Sequence, residues 1–124
     1  MKKYLTLLFL SLSTLCFSQV KQMMEALKLN QPDKAIKIGQ DSKNDSDSFE
    51  TNFLFAKAYN QKKDFKNAEL FIEKAKVLSN ENWQKAWILV ESIQTYYGLG
   101  RISEAKNVYQ EAKVIPGTKT QTMN

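Results

Sequence analysis

The residues in this chain with any capacity for chemistry are few. The stretch "DSKNDSDS", Asp41 to Ser48, gathers three carboxylates, Asp41, Asp45 and Asp47, and so invites a calcium reading. A calcium loop of the helix–loop–helix kind needs a glycine at its sixth position, for the sharp turn, and a bidentate glutamate at its twelfth. Counted from Asp41, those positions hold Ser46 and Asn52, so the pattern fails and a solvated loop between helices is the better account. Histidine is absent from the whole chain, which removes the commonest general base and metal ligand. No Ser-His-Asp or Cys-His arrangement can be assembled. Lone groups such as Lys57 or Glu91 on a helix make no active site. The sequence reads as non-enzymatic, with no metal and no cofactor. A small-molecule pocket between helices is a weaker alternative, because no converging titratable groups support it.

The first residues belong to export rather than to the folded domain. "MKKYLTLLFLSLSTLCFSQ" has a basic start (Lys2, Lys3), an apolar run to about Leu15 and a small-residue end. That is the plan of a secretory signal peptide with cleavage after Ser18. The run is too short and serine-rich to serve as a membrane anchor across roughly 30 Å of hydrocarbon. Cys16 raises lipidation, but Leu15 stands where a lipoprotein signal has a small residue. Cleavage after Ser18 removes the single cysteine, leaving a chain with no disulfide or thiol. It also removes Lys2 and Lys3, lowering a formal net charge of +5 by two. The remaining lysines are spread over helix faces and form no nucleic-acid footprint. The expected organisation is 1–18 leader, 19–116 folded domain and 117–124 disordered tail. The leader resembles those of Gram-negative bacteria, so the expected destination is the periplasm, with the extracellular space as the alternative.

Beyond Gln19 the punctuation separates helix-sized pieces and no strand pattern emerges. Pro32 suits a helix's first turn. Asp47 with Glu50 reads as a capping box, and Asp64 as an N-cap. "YYGLGR" breaks one helix before another, and Pro116-Gly117 ends the last. Six helices are predicted, at about 20–29, 32–43, 48–61, 65–78, 82–97 and 102–114. They fall into pairs with a recurring register. Tyr59, Ala68 and Ala75 are repeated as Tyr96, Ala105 and Ala112 at the same separations, and more weakly as Ala26, Ala35 and Ser42. Alanines two turns apart share one helix face and let a neighbouring helix approach closely. Ile72 and Tyr109 add the bulky member of each stripe.

Phe55, Ala56, Tyr59, Phe65, Ala68, Ile72 and Ala75, with Tyr96, Ile102, Ala105, Tyr109, Ala112 and Pro116, resemble the tetratricopeptide repeat family. Its unit is a helix–turn–helix of about 34 residues. The third copy departs from it at Ser92 and Ile93 and carries about three extra residues around Asn80–Asn82. The first has Gly39 where a bulky residue is usual. The resemblance implies an all-α fold, about three helix pairs stacked as a short right-handed solenoid.

It also implies a concave groove lined by the first helix of each pair, where family members bind peptides or partner helices. Carried over by position, that groove is Met24, Leu27 and Lys28; then Phe53, Lys57, Asn60 and Gln61; then Trp87, Val90, Gln94 and Tyr97. Ordinary packing between helices is the competing account of Phe53, Trp87 and Tyr97. The expected function is an exported adaptor or scaffold holding an envelope or secreted protein or peptide through the groove or the last helix. No nucleic acid and no stable membrane insertion of the mature chain are expected. The alternative is a homodimer: after Pro116 no capping helix is apparent, so Val108, Ala112 and Ile115 are expected to lie open on the last helix as a self-association stripe.

Overall fold

The computed structural model describes residues 18–42 and 48–115. The leader up to Phe17, the loop carboxylates Asp45 and Asp47, and Pro116 with the tail lie outside the described residues. Six helices and no strand are present among the described residues. Helix α1 covers 18–28, so it is already running at Ser18, the expected cleavage point. Then follow α2 (Pro32–Asp41), α3 (Phe49–Gln61), α4 (Phe65–Leu78), α5 (Asn82–Gly98) and α6 (Ile102–Lys113). Successive helices pack on one another, and α5 also touches α3. The fold is an all-α stack of helix pairs, a short solenoid.

One turn is built three times. In each pair the first helix ends with a residue in the left-handed region: Asn30 (φ 56°), Lys63 (φ 62°) and Gly100 (φ 77°). The next backbone N–H then reaches back five residues. Gln31 N–H donates to the Ala26 carbonyl (2.8 Å), Asp64 N–H to Tyr59 (2.9 Å) and Arg101 N–H to Tyr96 (2.9 Å). This closure satisfies carbonyls that a helix end would leave bare. Its anchors, Ala26, Tyr59 and Tyr96, are the residues that start each copy of the sequence repeat.

Ala35, Ala68, Ala75, Ala105 and Ala112 are fully buried, as the small-residue stripe requires. The two tyrosines sit differently. Tyr59 stacks on Phe71 with ring centroids 5.5 Å apart. Tyr96 lies under the Arg101 guanidinium, 4.7 Å from the ring centre. Asp64 caps α4 as expected, accepting from the Asn67 N–H and side-chain amide. The cap of α3 is Ser48, not Asp47: its hydroxyl accepts from Thr51 N–H at 3.1 Å. The irregularity expected near Asn80–Asn82 is an added helical turn. Gln84 Oε1 accepts from the N–H groups of Asn80 and Glu81, so α5 starts one turn earlier than the register of α3.

One further expectation is corrected. Val108 and Ala112 are buried in a cluster with Leu89, Tyr96 and Ala105, against which Ile115 packs half-buried. The stripe expected to lie open on the last helix faces its own partner helix. Gly39, noted as a departure from the family pattern, is accounted for by Phe55, which fills the space that bulk would take. A Cβ built on Gly39 would lie 2.5 Å from Phe55 Cζ and 2.9 Å from Met23 Cε.

Gly39→Leu therefore lowers stability by about 1–3 kcal/mol through overpacking, read as a lower urea midpoint. A second expectation concerns acid. Arg101 bridges Glu69 of α4 and Glu104 of α6, and its hydrogen bond and charge hold the Glu104 carboxyl below the usual carboxylate range. With the folded-state pKa depressed, this contribution is present above the ordinary carboxylate pKa and fades as pH falls through the depressed value. Both groups are largely exposed, so the effect is small and salt-screened. Melting temperature followed from pH 6 to 2 should fall less steeply in Glu104→Gln than in the parent.

Candidate functional site

An exposed aromatic feature follows from the extra turn of α5. It places Trp83 four residues before Trp87, on one helix face. Both indoles are about half-exposed and meet edge to face, centroids 5.1 Å apart. Phe49 and Phe53 of α3 stack beneath them at 5.9 Å. Phe49 contacts Trp83 edge-on at 5.9 Å and Phe53 contacts Trp87 at 5.5 Å. The two phenylalanines are buried and hold the two tryptophans up to solvent. Rigid aromatics of this kind offer large contact area at low entropic cost.

One turn further along α3 the surface becomes polar. Lys57 stands 6.0 Å from the Phe53 ring centre, with its ammonium 3.8 Å from Glu91 Oε2 on α5. Glu91 is buried and its other oxygen accepts from Asn60 Nδ2 at 3.0 Å. The Asn60 Oδ1 accepts from the Thr95 hydroxyl at 2.9 Å. Asn60, Glu91 and Thr95 are thus a closed polar network between the second and third pairs, with Lys57 at its mouth.

These contacts re-sort the expected groove. Met24, Lys28, Lys57, Trp87, Val90, Gln94 and Tyr97 are exposed. Leu27, Phe53 and Asn60 are buried. Leu27 and Phe53 belong to the core cluster, and Asn60 spends its amide on Glu91 and Thr95 rather than on a ligand. Gln61 is half-buried, and its amide N–H donates to the Leu27 carbonyl at 3.1 Å, closing the end of α1. Met24, Lys57 and Gln94 hold corresponding places on α1, α3 and α5 and are all open, forming a row across the three first helices. Trp83 was missed by the sequence reading. Its i, i+4 spacing to Trp87 was the available signal, hidden because the repeat register has no counterpart for the added turn.

A separate crevice of about 380 Å³ lies between α4, α5 and α6, floored by Ile88, Leu89, Val114 and Ile115 with Lys76 and Lys85 at its rim. It shares no residue with the aromatic face. Asp41, the described member of the loop carboxylates, is exposed at the end of α2, and among the described residues no cluster of His, Cys, Asp or Glu could hold a metal ion. No helix among them is long and apolar enough to cross a membrane. Comparison with protein-family models, with curated proteins and with solved structures gave no match.

The network predicts a stability effect at a residue expected to touch ligand. Asn60→Ala strips the buried Glu91 carboxylate of its amide donor and leaves the Thr95 hydroxyl only its longer bond to the Glu91 carbonyl, a loss of about 1–3 kcal/mol. Urea denaturation checks this. Glu91→Gln, which removes the buried charge and keeps an acceptor, should cost less.

Proposed function

We propose that the chain is an exported, non-enzymatic interaction module of the tetratricopeptide repeat kind, which holds a protein partner on the face made by α1, α3 and α5. The observation that carries this reading is the pair of half-exposed tryptophans, Trp83 and Trp87, seated on buried Phe49 and Phe53. A fold that needed these rings only for packing would bury them, since each indole can remove 150–250 Å² from water. Here the bulk of the platform is beneath and the upper faces stay open. The open row of Met24, Lys57 and Gln94 beside them supplies apolar, cationic and amide groups, a mixture suited to a polypeptide's side chains and backbone.

The repeated tyrosine–alanine register and the stack of helix pairs support the family reading. The basic, apolar and small-ended leader supports export, with the periplasm as the proposed destination. The partner is then an envelope or secreted protein.

The test is capture on immobilised residues 19–124. A partner from an envelope extract of the native organism is expected to be retained by the parent. Trp83→Glu with Trp87→Glu should weaken its binding about tenfold or more, the scale of a central aromatic anchor, with far-UV circular dichroism unchanged. Retention unaffected by that double change would remove the aromatic face from the function. Loss of helicity would make the two indoles core residues.

A further inference from the structure

The open end of the stack is defined by the repeat itself. Moving 37 residues along the chain takes each position of the second pair onto its counterpart in the third, as Tyr59 goes to Tyr96 and Ala68 to Ala105. Three such pairs change burial sharply. Phe53 is 9% exposed and its counterpart Val90 48%; Asn60 is 1% exposed and Tyr97 50%; Ile72 is 1% exposed and Tyr109 41%. On the second pair, α5 supplies the cover. Trp87 lies on Phe53, Glu91 and Thr95 bond Asn60, and Ile88 joins Ile72 in one buried cluster. On the third pair the same three positions are open, and they are occupied by Val90, Tyr97 and Tyr109, large side chains that gain from burial.

We infer that the face formed by Val90 and Tyr97 of α5 with Tyr109 of α6 receives an amphipathic helix of a partner protein, laid where a seventh helix would continue the stack. This rests on the reading of the chain as an interaction module and specifies what one of its surfaces takes. The occupant is argued from continuity: the α5 cover of α3 and α4 is a helix of 17 residues that sets Trp87 and Ile88 on apolar partners and Glu91 and Thr95 on Asn60, and the next equivalent face, with Tyr97 in place of Asn60, asks for a helix with an apolar face. Charge adds a second feature. Lys106 and Lys113 stand three residues before and four after Tyr109, one helical turn to either side, with the Lys113 ammonium 5.0 Å from the Tyr109 ring centre. The partner helix therefore carries acidic residues along the edge that meets α6. Residues 116–124, PGTKTQTMN, offer Met123 as their only large apolar side chain and so do not supply such a face.

The experiment places a benzophenone-bearing phenylalanine analogue in turn at positions 90, 97 and 109 of the full chain in its native organism, with positions 24 and 57 as groove controls. Ultraviolet irradiation at all three end-face positions should join the chain to one foreign polypeptide. The attached segment, read by mass spectrometry, should show apolar residues at helical spacing with acids beside them. Adding Tyr97→Glu and Tyr109→Glu should cut the adduct from position 90 about tenfold while leaving helical content unchanged. Adducts to an extended segment, adducts only to copies of this chain, or adducts confined to positions 24 and 57 would each overturn the added helix. The last of these would leave the groove reading standing. No foreign adduct from any of the five positions would overturn the added helix, and loss of capture by Trp83→Glu with Trp87→Glu would still report on the groove reading.

Discussion

A helix hairpin cannot bury its own apolar faces, and the rest of this structure follows from how closely its helices come together. Alanines two turns apart on each second helix, Ala68 with Ala75 and Ala105 with Ala112, are fully buried and fix that approach. With no side chain beyond Cβ at the contact, dispersion and burial come from the residues around it, Ile72 and Phe71 in one pair and Val108 and Leu89 in the other. The left-handed turn residue then turns the chain back in each pair. Asn30, Lys63 and Gly100 adopt it in three different chemistries, so it is the closing hydrogen bond, more than glycine, that holds the turn. Lys63 bears the strain of positive φ that Gly100 avoids.

The repeats are alike in backbone and unlike in what joins them. Between the second and third pairs the joint is polar: Asn60, Glu91 and Thr95 satisfy one another out of water, while the aromatic quartet closes the same joint one turn away. Between the first and second its buried part is apolar, with Met23, Ala26 and Leu27 in one cluster with Phe53 and Phe55, while the Gln61 amide bonds the Leu27 carbonyl at its edge. A polar joint contributes less through area than through register, because a carboxylate buried without its donors is costly. With these bonds made, α5 lies where Trp83 and Trp87 stand over Phe49 and Phe53, so the buried network and the exposed aromatic face share one axial position.

Element type and boundaries were legible in the sequence because helix periodicity and capping are local. The start and end of α4, the start of α6 and the cap at Asp64 all fall where the residues put them. What escaped was whatever depends on a neighbour. Ser48 rather than Asp47 caps α3, a choice between adjacent residues that pattern does not resolve. Asn60 has the chemistry of a ligand contact and the environment of a core residue, and only the position of Glu91 on another helix decides between them. Val108 and Ala112 read as an open stripe because their cover is α5 of their own pair, whose tilt is not written in α6. The open row within the expected groove, Met24, Lys57 and Gln94, was legible because these places correspond in the repeat. Trp83 was not, since it belongs to the single turn that breaks the repeat.

The residues chosen at the open end bear on how a stack can stop and still be joined. Where the second pair has Phe53, Asn60 and Ile72, the third has Val90, Tyr97 and Tyr109. Phenylalanine and isoleucine at those places would leave a continuous apolar patch in water, a liability for an isolated chain. Asparagine repeated at position 97 would suit water but contribute little to a dry contact. Tyrosine meets both conditions, with an apolar ring for a neighbour and a hydroxyl for solvent or for a partner's carboxylate. Lys113 lying over Tyr109 shields part of that ring. An end built only to be solvated would carry lysine and glutamate at all three places, and an end built only to pack would repeat the residues of α3 and α4. The side chains present satisfy the free state and leave most of the burial energy to be gained on contact.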